Sequence, residues 1–177
     1  AWEDGSAWQT QVIDDNTEVG YYTSLALDSD QQPYISYQDY TNKDLKYAYY
    51  DADTTSWHLS TIVSDNDIGF DTSIFLDASD LPHISYQDLT NGKIMYAVFN
   101  GVDWTFAAVA DSGAASLDQM GTYTSLVLNS ADQPFITYLD YQDYDLEYAY
   151  YDYDHTSWTT TPAASSRRPG RGRSSGR

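Results

Sequence analysis

At two matching points this chain sets a tyrosine directly after an aspartate, Asp39-Tyr40 and Asp140-Tyr141, with Asp88-Leu89 at the matching point between them. A tyrosine ring offers a flat apolar face to sugar C–H groups, and a carboxylate accepts hydroxyl hydrogen bonds. Asp39, Tyr40, Asp88, Asp140 and Tyr141 are therefore the candidate glycan-binding residues, although Leu89 interrupts a strict one-site-per-repeat pattern. A second chemistry is suggested by alternating aspartates. Asp51 and Asp53, Asp65 and Asp67, and Asp152 and Asp154 each present oxygens two residues apart, as a hard cation such as calcium prefers. None of these segments completes a calcium loop with its terminal glutamate, and aspartate is also an ordinary turn residue.

Other chemistries are argued against. Binding a substrate carboxylate bidentately takes arginine, and residues 1–166 contain none. Glycoside hydrolysis needs two carboxylates across one bond. Asp39, Asp88 and Asp140 instead recur once per repeat, whereas an active site is built once. His58, His83 and His155 show no metal-ligand spacing. The chain is expected to be non-enzymatic.

Charge narrows the partners. All 27 acidic residues and only Lys43, Lys46 and Lys93 lie in residues 1–166, while the last eleven residues carry five arginines and no acid. So acidic a body repels nucleic-acid phosphates and suits a secreted, extracellular setting where cations screen its self-repulsion. There is no cysteine, hence no disulfide, and no apolar run long enough for a membrane-spanning helix.

The elements that must position these residues come from an internal repeat. Ile35-Ser36-Tyr37-Gln38-Asp39 returns as Ile84-Ser85-Tyr86-Gln87-Asp88 and, altered, as Ile136-Thr137-Tyr138-Leu139-Asp140, at offsets of 49 and then 52 residues. A period of that size signals a propeller, solenoid or array. In the first repeat, β-forming residues and turn signals predict strands over 22–28, 34–39, 45–50 and 57–63. The Asn91-Gly92 turn of the second repeat marks a hairpin outright. The inner strands are apolar on both faces: Leu25 and Leu27 against Ala26, Ile74 and Leu76 against Phe75, Leu126 and Leu128 against Val127. A sheet wetted on one side would alternate apolar with polar. Sheets covered on both sides, four strands each, predict an all-β fold of β-propeller blades, with a stacked sandwich as the structural alternative.

The pattern S-L-x-L-D, P-x-I-S-Y-x-D, L-x-Y-A and W, read over residues 1–161, resembles propeller repeats of secreted bacterial and archaeal proteins, loosely sialidase-like or lectin-like. The resemblance implies a fold and no particular activity. Aligning Trp8 with Trp104 makes residues 1–19 a half-blade, the end of a third strand and a fourth strand. It is followed by blades at 20–68, 69–120 and 121–164 and a basic Arg/Gly/Ser tail at 165–177. Three blades and a half are not expected to close a ring in one chain. Trp8, Trp57, Trp104 and Trp158 are expected to anchor packing at the start of each fourth strand. The first expectation for function is a structural module that joins copies of itself into a ring or filament, by strand or blade completion and by the basic tail on the acidic body. The alternative is a lectin-like carbohydrate-binding propeller, with calcium as its one candidate cofactor.

Overall fold

The computed structural model of the chain describes residues 1–3, 5, 7–64, 67–112 and 123–162. Three four-stranded antiparallel sheets follow one another. The first holds β3 (Val19–Leu27), β4 (Pro33–Asp39), β5 (Asp44–Asp51) and β6 (Ser56–Val63). The second holds β7 (Ile68–Leu76), β8 (Pro82–Asp88), β9 (Lys93–Phe99) and β10 (Trp104–Asp111). The third holds β11 (Ser125–Leu128), β12 (Pro134–Asp140), β13 (Asp145–Asp152) and β14 (Ser157–Pro162). The preceding β1 (Trp2–Glu3) and β2 (Trp8–Gln9) pair only with each other. No helix occurs among the described residues. The expected propeller blades are present, strand for strand, and no ladder pairs the first sheet with the third.

Local chemistry sets the turns. Asp28 Oδ1 accepts the N–H groups of Asp30 and Gln32, and Asp77 and Asn129 bond the matching turns in the same way. Pro33, Pro82 and Pro134 then open each second strand, where a missing N–H does no harm. Asp51, Asn100 and Asp152 accept N–H groups across the turn that follows each third strand.

Packing between blades repeats residue by residue. Leu45 and Tyr47 of the first sheet meet Ile74, Ile84, Tyr86 and Ala97 of the second. Ile94 and Tyr96 of the second meet Leu126, Ile136, Tyr138 and Ala149 of the third. Trp104 sets its edge on Tyr47 at 5.5 Å between centroids, and Trp158 on Tyr96 at 5.1 Å. A polar seam threads the same interfaces. Ser36 and Thr72 hydroxyls lie 2.7 Å apart, and Thr72 donates to the Tyr22 carbonyl. Ser85 donates to Thr124, which donates to the Asp71 carbonyl. Gly69, at φ +84, lets the blades close up, since a Cβ there would stand 3.1 Å from the Asp44 carbonyl oxygen. A Cβ at the equivalent Gly20 would meet nothing.

The outer faces of the stack lack these partners. Leu25 is 62% exposed, whereas its counterparts Ile74 and Leu126 are 4% and 3% exposed. Leu146 is 57% exposed, whereas Leu45 and Ile94 are fully buried. Against the Leu25 face lies the leading segment. The fourth strand expected within residues 1–19 is confined to Trp8–Gln9, because β1 offers only two residues of ladder. Trp8 is correspondingly exposed and anchors nothing, unlike Trp104 and Trp158. Gln11, Ile13 and Asp14 cover the outer part of the face, and a groove of about 780 Å³ is left beside Leu25, Leu27, Ile35 and Trp57. The tail at 165–177 falls outside the described residues.

A buried ion pair pins the leading segment. Asp14 accepts from Lys46 Nζ at 2.6 Å and from the Tyr37 hydroxyl at 2.8 Å, with both charged side chains 10% exposed or less. Burial pushes the Asp14 carboxyl up, but the bonds from Lys46, Tyr37 and Asn16 outweigh it and hold the group at about 2. A carboxyl depressed on folding contributes stability that is whole above its unfolded value, about 4, and is lost as pH falls through about 2. The pair should therefore add roughly 2 kcal/mol at neutral pH that disappears over that window. Urea unfolding midpoints measured from pH 5 to 2 should fall more steeply for the natural chain than for Asp14→Asn.

Candidate functional site

Of the residues nominated for sugar binding, Asp39 and Asp88 are nearly buried and bonded within their own turns. The two oxygens of Asp39 accept the backbone and side-chain N–H groups of Asn42, and those of Asp88 accept the same groups of Asn91. Asp140 accepts the N–H of Gln142. These aspartates shape the turns that carry Tyr40, Leu89 and Tyr141. Of the metal candidates, Asp51 bonds Asp53, Thr54 and the Thr54 hydroxyl, and Asp152 bonds Asp154 and His155. Asp67 pairs with Lys43 at 2.7 Å. Asp53 and Asp154 donate their N–H groups to these turns, and Asp65 lies outside the described residues. No three Asp, Glu or His side chains converge as an ion site among the described residues.

Tyr40 and Tyr141 do come together with residues the sequence reading passed over. The first two inner strands open with an irregular register: between Val19, Tyr21 and Ser24 in β3, and between Ile68, Phe70 and Ser73 in β7. Within these bulges Tyr22 and Asp71 have φ of 52° and 48°, and the equivalent Tyr123 has 51°. Side-chain-bearing residues rarely take this left-handed conformation, and finding it at one place in three blades marks a position worth chemical attention. Since β3 lies against β7 and β7 against β11, the three residues come from neighbouring inner strands. The bulge end is also the end of the turns carrying Tyr40, Leu89 and Tyr141, as the bond from Tyr40 N–H to the Glu18 carbonyl shows.

A continuous aromatic rim results. Buried Phe70 and Leu89 form its floor, with Tyr22 and Tyr141 packed on them. Tyr22 lies 5.4 Å from Phe70 and 6.4 Å from Tyr21, which stacks on Tyr40 at 5.0 Å. On the other side Tyr141 meets Tyr144 at 5.9 Å. Tyr21, Tyr40, Tyr123 and Tyr144 are exposed. Asp71 stands among them, half-buried, its carboxylate accepting the Tyr123 N–H at 3.1 Å. Burial, partly offset by that bond, pushes the Asp71 carboxyl up. The hydroxyls of Tyr22 and Tyr141 are raised by burial and then by neighbouring negative groups, Asp71 and Tyr123 among them. Rings in this number beside one carboxylate make a surface for stacking and hydrogen bonding, and exposed apolar patches of this kind mark binding sites. The sequence signal was available: Gly20-Tyr21-Tyr22, Gly69-Phe70-Asp71 and Gly121-Thr122-Tyr123 align, and a glycine inside a strand suggests a bulge.

No family model matches the chain, and no curated protein sequence matches it. Solved structures do. A fucose lectin from Kordia zhangzhouensis in complex with methyl-fucoside is 17% identical, with a TM-score of 0.50 over 78% of this chain and 96% of that one. The Aleuria aurantia lectin, a six-bladed β-propeller, is 14% identical, with a TM-score of 0.61 over 92% of this chain and 52% of that one. The GH93 α-L-arabinofuranosidase of Fusarium graminearum is 14% identical, with a TM-score of 0.58 over 85% and 51%. The chain thus spans about half the length of the last two. At such identities the likeness is one of fold, and the fold is the β-propeller.

The raised Asp71 carboxyl has a consequence for stability. A carboxyl whose value rises on folding opposes the folded state when ionised; that opposition is whole above the raised folded value, fades as pH falls through it, and is gone below the unfolded value near 4. Asp71→Asn should raise the thermal midpoint at pH 7, with the gain over the natural chain shrinking at pH 3; calorimetric melts at both values check this.

Proposed function

We propose that the chain is a carbohydrate-binding, non-enzymatic β-propeller module that acts outside the cell. The observation that carries the reading is the tyrosine rim around Asp71, which combines ring faces for sugar C–H groups with an acceptor for sugar hydroxyls. Among the described residues, Tyr22 and Tyr141 each feel one carboxylate, Asp71, whereas hydrolysis of a glycosidic bond by the usual routes takes two. The acidic body and the absence of arginine from residues 1–166 favour neutral or basic sugars over acidic ones. Binding of the purified chain to a glycan array tests this. Tyr40→Ala and Tyr141→Ala should each weaken the hits by roughly tenfold, about 1.4 kcal/mol, in line with a lost aromatic contact. An array without hits, or hits unmoved by both changes, refutes it.

A second reading, a module that assembles copies of itself, is favoured by the bare outer faces. Leu25 and Leu146 occupy positions that are buried wherever a neighbouring blade is present. The seam chemistry is represented at both ends: Thr23 stands where Thr72 and Thr124 bond, and Thr137 where Ser36 and Ser85 bond. The groove beside Leu25 is bordered by strands and suits strand completion by another copy. Light scattering in salt sufficient to screen the acidic bodies should give a mass above the 20.0 kDa of one chain, returning to one chain in Leu25→Asp. A natural chain that is monomeric throughout removes this reading.

A further inference from the structure

The positive charges of the described residues can be followed one by one. Lys43 pairs with Asp67, Lys46 with Asp14, and Lys93 with Asp111. These are the only lysines, and every arginine lies in residues 167–177, outside the described region. The histidines are engaged elsewhere too: His58 with Asp51, His83 with Tyr96 and Asp77, His155 with Asp152. Asp71 therefore has no cationic side chain against it among the described residues. What it accepts there is one backbone N–H, that of Tyr123.

A half-buried carboxylate with so little compensation is costly to the fold. Its surroundings are also specific. Tyr22, Tyr123 and Tyr141 are close enough to interact with it or with one another electrostatically, and Phe70 supports them from below. Aromatic faces carry negative charge density and attract cations, most strongly where water is partly excluded. A carboxylate set beside such rings is an arrangement that a positively charged nitrogen satisfies. A neutral sugar hydroxyl satisfies only its hydrogen bonding. Among the described residues a hard metal ion finds one carboxylate here and no converging group of three acidic or imidazole side chains. The acidic surface as a whole raises the local concentration of cations.

We infer that the rim takes an amino sugar, its protonated amine on the Asp71 carboxylate and its ring faces on the surrounding tyrosines. The inference rests on the carbohydrate reading and specifies its ligand class. The amine forms a charge-assisted hydrogen bond, the stronger kind, and the rings add cation–π attraction.

Titration calorimetry on the full chain separates the parts of this claim, with four probes: a glucosamine tetramer, the same tetramer fully N-acetylated, a neutral glucose tetramer, and choline. The free-amine tetramer should bind at least about tenfold tighter than the acetylated and neutral ones, the factor expected of a charged over a neutral hydrogen bond. Asp71→Asn, which keeps the shape, should remove that preference, and Tyr123→Ala, at an exposed ring, should weaken the free-amine tetramer. Equal or tighter binding of the neutral or acetylated tetramer overturns the amine assignment and leaves the carbohydrate reading standing. A preference for the amine that survives Asp71→Asn is general attraction of a polycation to an acidic body, and overturns the site. Choline bound in an Asp71-dependent way with no tetramer bound overturns the sugar assignment and the carbohydrate reading together. No binding of any probe overturns the amine assignment, and the glycan array then decides the carbohydrate reading.

Discussion

Each four-stranded sheet of this chain has inner strands that are apolar on both faces, and an apolar face is stable only when something covers it. Burial of a leucine or isoleucine side chain contributes about 1.5–3 kcal/mol. Tyr47 against Trp104, and Tyr96 against Trp158, show how consistently the cover is supplied from one blade to the next. The rest of the architecture serves that contact. Gly69 permits the close approach, the Ser36–Thr72 and Ser85–Thr124 hydroxyls satisfy the inner-strand carbonyls it encloses, and the aspartate turns hold each sheet in register. Where the cover is missing, the same residue types are left in water, as Leu25 and Leu146 are.

The leading segment shows a different way to cover a face. Asp14 and Lys46 form a charged pair on a surface where the second interface has Val63 and Met95 at the aligned positions, both packed against the apolar core. Desolvation takes back part of the attraction, and the bonds that outweigh it also fix one arrangement. Tyr37 completes it by donating to Asp14. The segment is thereby tied to the first blade by directional bonds rather than by area.

Much of the fold could be read from the sequence because its causes are local and repeated. Alternation on Leu25, Ala26 and Leu27, proline at 33, 82 and 134, and the Asn91-Gly92 turn each point to one structure, and three copies confirm one another. The site was read only in part. Tyr40 and Tyr141 stood out because they differ from Leu89 in otherwise faithful repeats. Asp71 did not, because its importance arises from three facts that no short window contains: a bulge that rotates it out of the ladder, tyrosines brought in from another blade on each side, and the absence of a cation opposite among the described residues. Asp39 and Asp88 stood out for the opposite reason. They recur faithfully since every blade needs the same turn, and fidelity in a repeat reports on the fold before it reports on a ligand. Trp8 misled similarly, because an aligned tryptophan packs only if the facing sheet exists.

The left-handed bulge carries a further implication. Tyr22, Asp71 and Tyr123 sit in a backbone conformation that glycine adopts without penalty and that costs other residues about 1–2 kcal/mol each. The residue there lies outside the regular ladder, so its identity is free to differ from blade to blade, as tyrosine, aspartate and tyrosine do. Each blade thus contributes one interchangeable letter to a shared rim, written on a frame that does not change. Duplication of a blade would lengthen that word by one letter, and recognition could diversify by substitution at a single position per repeat. The conformational penalty marks a trade-off in which glycine at these points would give a more stable protein with nothing to say.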